Sequence, residues 1–584
     1  MPTSDWWERG GGFLVGDPSP DDEAAVVTPE QARAEVEPIA AVARDFVQKE
    51  VLARGDRLLE HDYPTLRDLL ARAGELGLLG VEVEEAYGGS ALGPVFGAAV
   101  TEEIARAGDF AVTFGAHSGI GTLPLALFGT PEQQARYLPD LVAGRKVAAY
   151  ALTEPMAGSD ALSARTRATP VEGGFVLEGQ KQWITHAGFA DLFVVYARVD
   201  GERFTAFLVE AGSPGLSLGP EEDKLGIRGS STRAVFLDRV RVPADHVLGE
   251  VGRGHVVAFG VLNIGRFKLA AGSLGSGKAA MAVATAYAES RQQFGRPIAD
   301  FGLVQEKLAR MAVRLYALES MVYRTAGLMH RRGLADGHAS AVGEMAVECS
   351  ANKVYGSEAL SSIVDEALQI HGGYGFMNDY PVARMYRDAR INRIFEGTNE
   401  INRLLIPDAL LRRAMRAGLP LLQSMAEARQ AVESRDGATA GEWHGDGGPL
   451  PDAAWMAGMR RALLYAASRM VERHGTALES EQEQLGRLAD MVIGYFAAQS
   501  AWIRARRAAE RAGRDAPLHA ALAALVIDEA TRQMEQAGRD LAGDAEAVDR
   551  MAALLRRPPI GIIALQRQVA AAVRSAGGYP LGPR

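Results

Sequence analysis

The sequence predicts an α+β protein of several domains: an N-terminal helical domain, a middle antiparallel β domain, a four-helix bundle and an additional C-terminal helical domain. Three observations carry that prediction. Helical periodicity dominates up to residue 149. Short runs rich in β-branched and aromatic residues replace it from Tyr150 to about residue 255. Helical periodicity then returns near Val256 and, after one Gly-rich interruption, resumes beyond it. The 584 residues suffice for several cores, since domains usually span about 100–200 residues.

Taken in order, residues 1–27 are rich in Gly, Pro and Asp and read as a leader. Thr28-Pro29-Glu30-Gln31 reads as a capping box with proline at the first helical position, followed by a helix to about Val51. A second helical stretch covers about 64–78, Gly88 and Gly89 break it, and further helical patterns reach about Leu141, so 28–149 is the first domain. The runs "GGFVLEGQKQWIT", "DLFVVYARV", "RFTAFLVEA" and "STRAVFLDRVRVP" define a β domain over 150–255. The segment "FGLVQEKLARMAVRLYALESMVYRTAGLM" is long enough for a bundle, placed at 256–430. Residues 431–450 are Gly-rich and polar and read as a linker. Met456, Met459, Leu463 and Met470, then Leu485, Leu488, Val492 and Tyr495, keep helical spacing in the last domain, 451–584.

Composition narrows the function classes. Hydrophobic residues at 47% and charged residues at 23% are those of an ordinary folded protein. A net charge of -10 without long single-sign blocks does not suggest a nucleic-acid partner. The single cysteine, Cys349, excludes an internal disulfide and a Cys-based zinc cluster, so no metal site is expected and core packing is its expected role. No basic segment followed by an apolar stretch opens the chain, and no run of about 18 uninterrupted apolar residues occurs, so a cytoplasmic protein is expected.

The candidate chemistry centres on "RIFEGTNE", residues 393–400. Glu396 follows Ile394 and Phe395; loss of hydration there would raise its pKa toward neutrality, as suits a general base. A glutamate at a helix end with its head in water is the ordinary alternative. "GSLGSGKA", residues 272–279, matches a phosphate-loop pattern but has Ala279 where Ser or Thr would hold magnesium, and it lies inside a helical pattern, which favours close helix packing. "YALTEPMAGSD" concentrates Thr153, Gly158, Ser159 and Asp160 in a turn able to offer hydroxyls and N–H groups. "KQWIT" places Trp183 and Thr185 on one strand face. "RQQFG" joins Arg291 and Phe294 at helical spacing, and "QIHGGYG" is a Gly-rich break between helices. Each of these also reads as ordinary packing, turn or surface.

Together and in this order the segments resemble the acyl-CoA dehydrogenase family over about residues 30–410, most closely its very-long-chain branch. "TEPMAGSD", "KQWIT", "KLGIRGSSTRAVFLDRVRVP", "VLGEVGRG", "NIGRF", "RQQFG", "FGLVQEKLARM", "QIHGGYGF" and "RDARINRIFEGTNEINR" all look like family segments, collinear and at family-like spacing. The resemblance implies non-covalent FAD between the domains and a fatty acyl-CoA against the flavin. It implies that Tyr150, Leu152, Thr153, Gly158 and Ser159 line flavin or thioester, that Trp183 lies beside the ring and Thr185 reaches its N5 edge, and that Thr398 and Glu400 contact FAD. Arg291, Phe294, Gln369 and Gly373 match residues holding the phosphate and adenosine part across a subunit interface, hence at least a dimer. Asn263 and Arg266 match residues on the CoA side of the substrate, with Phe395, Gly397 and Ser159 also beside substrate. Glu396 matches the catalytic base, which takes the α-proton while a hydride leaves the β-carbon for flavin N5, giving a trans-2-enoyl-CoA.

Some positions distinguish branches. Gly265 stands where branched-chain members carry their base, and Asn263 where medium-chain members have Asp. His371 replaces a usually apolar residue, and a packed, hydrogen-bonded histidine is expected. "GAHSGIG", residues 115–121, supplies small residues near the end of the family's acyl tunnel, explained equally by helix packing. The additional domain also resembles the very-long-chain branch, where it accompanies a dimer. Arg504, Arg507, Arg511 and Arg514 form a basic stripe that a membrane surface or acidic partner could use, a solvated face being the ordinary reading. The expectation is a cytoplasmic homodimer, with weak contact to the inner membrane face through its last domain. It is expected to dehydrogenate long-chain acyl-CoA in fatty-acid β-oxidation and pass electrons to electron-transfer flavoprotein. An acyl-CoA oxidase and an assembly or binding protein on the same scaffold are the alternatives.

Overall fold

The computed structural model describes residues 5–416, 418–434, 449–557 and 560–582; most of the linker at 431–450 lies outside them. The first domain is helical throughout. Helix α1 (Pro29–Phe46) starts where the Thr28 N–H donates to Gln31 Oε1 at 3.0 Å, and it buries Ala32, Val36, Ala40, Ala43 and Phe46. Helices α2 (Tyr63–Glu75), α3 (Pro94–Ile104) and α4 (Pro131–Val142) complete its frame. Phe46 meets Phe110 edge-on at 5.8 Å, in a core with Leu66, Leu69 and Leu70.

The middle domain is one eight-stranded sheet: β1 (Ala148–Ala151), β2 (Arg167–Val171), β3 (Gly174–Thr185), β4 (Leu192–Val199), β5 (Arg203–Glu210), β6 (Leu216–Glu221), β7 (Thr232–Pro243) and β8 (Val247–Leu248). Its order is β6-β7-β3-β2-β4-β5-β8, with β1 beside β4. The sheet is mostly antiparallel, but β1 and β2 both run parallel to β4. The expected antiparallel β domain is found, and the two parallel pairs add what strand periodicity does not report, since it marks which residues are buried and not the direction of the neighbour.

The bundle consists of α5 (Gly254–Ser290), α6 (Gly302–Asp336), α7 (Ala346–His371) and α8 (Asn399–Met415). The glycines of 272–279 serve close packing. A Cβ on Gly275 would lie 1.8 Å from the Glu102 carbonyl oxygen, and one on Gly277 would lie 2.9 Å from Leu315 Cδ2. Lys278, next along, is buried and paired with Glu102 at 2.7 Å and with Glu319. Helix α5 is long and apolar enough to cross a membrane, yet 67% of its most apolar stretch is buried inside the protein. Cys349 is fully buried in the bundle core.

Helices α9 (Ala453–His474), α10 (Gln482–Glu510), α11 (Ala516–Ala542) and α12 (Ile562–Ala576) form most of the additional domain. Its periodic residues, Met456 to Met470 and Leu485 to Tyr495, point into a core continuous with that of the bundle.

Two expectations about the ends of the chain are corrected. Residues 5–27 are not a free leader: Trp7, Phe13 and Leu14 are buried, and Phe13 packs on Phe496 at 4.8 Å. The Arg324 guanidinium lies over Trp7 at 4.7 Å and over Phe496 at 4.8 Å. The aromatic residues of this segment outweigh its glycines, because their burial is worth several kcal/mol (about 2–3 each). The arginine stripe is likewise no free basic face. Arg504 is 1% exposed and pairs with Glu30 at 2.5 Å and Glu319 at 2.6 Å. Arg507 donates to the Val26 and Ala24 carbonyls at 2.6 and 2.8 Å. Helix α10 ends at Glu510, so only Arg511 and Arg514, beyond it, are exposed. The alanines of this stretch let the helix lie close enough for the first two arginines to reach inward.

Candidate functional site

Glu396 sits between a short 3-10 turn (Arg390–Arg393) and α8, in a left-handed conformation (φ 59°) followed by Gly397 at φ 79°. Such backbone is costly for a non-glycine residue, about 1 kcal/mol or more, so the surroundings must impose it. They do so through the loop carbonyls. Arg266 Nε and Asn402 Nδ2 donate to the Glu396 carbonyl at 3.2 and 3.3 Å. Lys353 Nζ and Asn402 Nδ2 donate to that of Gly397 at 2.7 and 2.8 Å, and Asn402 also reaches that of Thr398 at 3.0 Å. The Thr398 hydroxyl accepts the Ile401 N–H at 3.3 Å and caps α8, with Glu400 exposed in its first turn.

The carboxylate itself lies on α5 at Gly265, where a Cβ would stand 2.3 Å from Oε2. Oε2 is buried and has no hydrogen-bond partner among the described residues. Burial raises the Glu396 pKa to about 7, with the charges of Arg266 and Lys353 pulling the other way. The direction expected from the sequence is therefore found, but its source differs. Ile394 is 48% exposed and shields little; packing against α5 at the bare Gly265 supplies the desolvation.

Asn263 and Arg266 are both buried and bonded to each other, Nη1 to Oδ1 at 2.7 Å. Tyr150, at the end of β1, is near enough to feel the Glu396 charge, and burial drives its phenol well above 10; its hydroxyl donates to the Ala258 carbonyl at 3.4 Å. Glu396, Gly397, Gly265, Arg266, Asn263 and Tyr150 thus form one cluster. Small residues on the N-terminal domain divide in role: Gly119 and Gly121 pack on Lys268 and Ala148, while the Gly115 Cβ position faces open space.

On the β domain, Leu152 is buried, Thr153 is half-buried and its carbonyl accepts the Gln182 N–H at 2.9 Å, and Gly158 and Ser159 are exposed. Beneath this loop Glu154 and Lys181 form a buried ion pair at 2.7 Å, and Glu154 also accepts the Thr166 N–H and hydroxyl at 3.0 and 2.6 Å. Strand β3 is bulged between Lys181 and Ile184, with Trp183 at φ 56° and 61% exposed and Thr185 half-buried. The bulge, not regular alternation, aims the indole outward.

Arg291, Phe294, Gln369 and Gly373 are all exposed, and Arg291 and Gly373 share one groove. Arg291 and Phe294 are not on a helix: α5 stops at Ser290, and a hairpin pairs Gln292–Gln293 with Arg296–Pro297, with Phe294 at its turn, 93% exposed. A groove of about 500 Å³ runs between Arg291, His371, Gly373, Tyr374 and Met377. His371 is packed as expected, stacked on Tyr287 at 4.1 Å with Nδ1 bonded to the Ala367 carbonyl at 2.7 Å.

The residues fit the flavin dinucleotide that the resemblance implies. An exposed indole stands on the strand next to a loop where Gly158 leaves open space, a groove lined by an arginine and glycines is present, and the Glu396 carboxylate has a buried oxygen with no hydrogen-bond partner among the described residues. Sequence reasoning missed Lys353, Asn402 and the Glu154–Lys181 pair. The signal for Lys353 was a lone lysine in an apolar helical run, "SANKVYGSEAL".

Comparison with known proteins follows this geometry. Residues 33–145, 149–240 and 252–411 match family models described as the N-terminal, middle and C-terminal domains of acyl-CoA dehydrogenase. Residues 458–557 match a further one, also described as an acyl-CoA dehydrogenase C-terminal domain. The chain is similar to a probable acyl-CoA dehydrogenase of Bacillus subtilis (strain 168), 44% identical over 591 residues and 98% of each chain. It is 41% identical to the mitochondrial very long-chain specific acyl-CoA dehydrogenase of Homo sapiens over 394 residues, 65% of this chain and 58% of that protein. Its fold superposes on the crystal structure of an acyl-CoA dehydrogenase complexed with FAD from Bacillus anthracis with a TM-score of 0.93, at 44% identity, covering 98% and 99% of the two chains.

Proposed function

This chain belongs to the acyl-CoA dehydrogenase family, and on that premise we propose that it is an FAD-dependent enzyme removing the α and β hydrogens of long-chain fatty acyl-CoA. The product is the trans-2-enoyl-CoA, the setting fatty-acid β-oxidation, and the acceptor electron-transfer flavoprotein. The observation that carries the chemistry is Glu396, a desolvated carboxylate with one free oxygen, facing a helix position that holds no rival acid. The very-long-chain relatives and the additional domain at 458–557 support the chain-length reading.

FAD, when bound, supplies the acceptor for the β-hydride. Thr153, Gly158, Ser159, Trp183 and Thr185 would hold its ring, Thr398 and Glu400 its neighbourhood at α8, and Arg291, Phe294, Gln369 and Gly373 of a second copy its phosphate and adenosine. Glu396 takes the α-proton on its carboxylate. Arg266, Asn402 and Lys353 keep the loop carbonyls fixed, so that the carboxylate needs no reorganisation when the proton moves. Phe294, Phe376 and Leu303 are large apolar side chains left mostly exposed, and their cover by a second copy would favour a homodimer.

Anaerobic titration of the purified flavoprotein with acyl-CoAs of graded length tests the reading. Bleaching of the flavin by long chains at the lowest concentrations is expected. A flavin that no acyl-CoA bleaches refutes the activity, and rapid stoichiometric peroxide in air moves the assignment to an oxidase.

A further inference from the structure

A continuous polar path runs from the loop bearing Glu396 into the additional domain. Lys353 on α7 donates to the Gly397 carbonyl and to Asn399 Oδ1, both at 2.7 Å. Asn399 Nδ2 donates to Glu358 Oε1 at 2.9 Å. Glu358 accepts two bonds from the Arg403 fork at 2.8 and 3.0 Å, and Arg403 Nε donates to Asp490 Oδ1 at 2.7 Å. Asp490 belongs to α10, so the path leaves the bundle at Arg403 and ends outside it. Glu358, Arg403 and Asp490 also line a cleft of about 600 Å³ between bundle and additional domain.

Four features make this more than a surface ion pair. Five residues on three helices are joined without a gap, and the bidentate Arg–carboxylate link fixes orientation as well as distance. Arg403 lies near the start of α8, the helix that begins three residues after Glu396, so tilting Arg403 tilts the loop. The loop is in strained backbone and needs external restraint. Part-exposed ion pairs add little to stability, which leaves geometry as the weightier effect.

We infer that Asp490 is a positioning residue: through Arg403 and Glu358 the additional domain holds the catalytic loop in register. Its kinetic consequence rests on the dehydrogenase reading above. The test uses the FAD-loaded protein as Asp490→Ala, Asp490→Glu and, as control, Arg487→Ala, one turn before Asp490 on α10, which removes a pair to Asp540 of α11 and none of the bonds of the path. Two quantities are read: hydrogen exchange of the segment 394–403 without substrate, and kcat and KM for flavin reduction by the acyl-CoA that bleaches wild type best. Asp490→Ala should speed exchange in that segment and lower kcat about 10–100-fold with KM within about threefold, as a displacement of up to 1 Å implies. Asp490→Glu should recover most of the loss, and Arg487→Ala should match wild type. Unchanged exchange and kcat in Asp490→Ala, or equal losses in Arg487→Ala, overturn the inference. Should Asp490→Ala not fold, Asp490→Asn, which keeps shape but not charge, is read by the same criteria. If no acyl-CoA reduces even wild type, the proposed activity fails while hydrogen exchange still decides the positioning role.

Discussion

Replacing Glu396 with Gln keeps the shape of the side chain and removes its titration, with two separable consequences. The first is kinetic. Gly265 offers no substitute base, Arg266 Nε and Lys353 Nζ are both tied to loop carbonyls, Lys353 although burial lowers its pKa to about 7, and burial holds the Tyr150 phenol well above its ordinary value. Loss of general base catalysis should therefore lower flavin reduction by palmitoyl-CoA about 10²–10⁴-fold, about 3–5 kcal/mol of barrier, with FAD content unchanged. The second is thermodynamic. Burial raises the carboxyl from its ordinary 4.5 to about 7, so the folded state binds the proton more tightly than the unfolded chain. Ionisation then opposes folding: the penalty is absent below about pH 4.5, grows as pH rises toward 7, and is complete above it. A shift of this size corresponds to about 3 kcal/mol, reduced to about 2 because the residue is not wholly sealed from solvent. Gln never ionises, so the variant should unfold at higher temperature than wild type at pH 8 and at nearly the same temperature near pH 5. Wild-type kcat/KM should correspondingly rise through about pH 7 to a plateau. Near-normal flavin reduction in the variant, or a lower unfolding midpoint at pH 8, would refute the reasoning.

Two further outcomes follow from the packing. Gly265→Ala places a methyl group 2.3 Å from Glu396 Oε2, so the carboxylate must move; stopped-flow reduction should slow about 10–100-fold while the protein still folds and binds FAD. Arg504→Met leaves Glu30 and Glu319 short of a buried cation and should destabilise the fold by about 3–5 kcal/mol, read as a lower thermal midpoint, whereas Arg511→Ala, on the exposed end of the same run, should stay within about 0.5 kcal/mol.

How much of this was legible in the sequence depended on what each pattern encodes. Helical and strand domains were readable because periodicity reports burial, and burial is what these elements share. The direction of β1 and β2 against β4 was not, since parallel and antiparallel neighbours can bury the same alternating residues. Glu396 was readable only through its collinear neighbours; its own surroundings suggested Ile394 as the desolvating group, whereas the effective partner, Gly265, is 131 positions upstream. The arginine stripe misled because helical spacing defines a face but not whether water or protein lies against it. Lys353 stood out as a lone lysine in a helical run but not for the carbonyl it meets, and Asn402, between polar neighbours Glu400 and Arg403, carried no mark at all.

The burial of the N-terminal segment against the additional domain also bears on how the chain reaches this state during synthesis. Glu23 and Arg506, which pair at 3.0 Å, are separated by 483 residues. At roughly 5–20 residues per second, Trp7, Phe13 and Leu14 emerge from the ribosome about half a minute to a minute and a half before α10 exists to cover them. For that interval the nascent chain carries a sticky aromatic end with no destination. Its cover depends on α10 being translated, so a product terminated before that helix would remain a client for chaperones and proteases even with its catalytic domains intact.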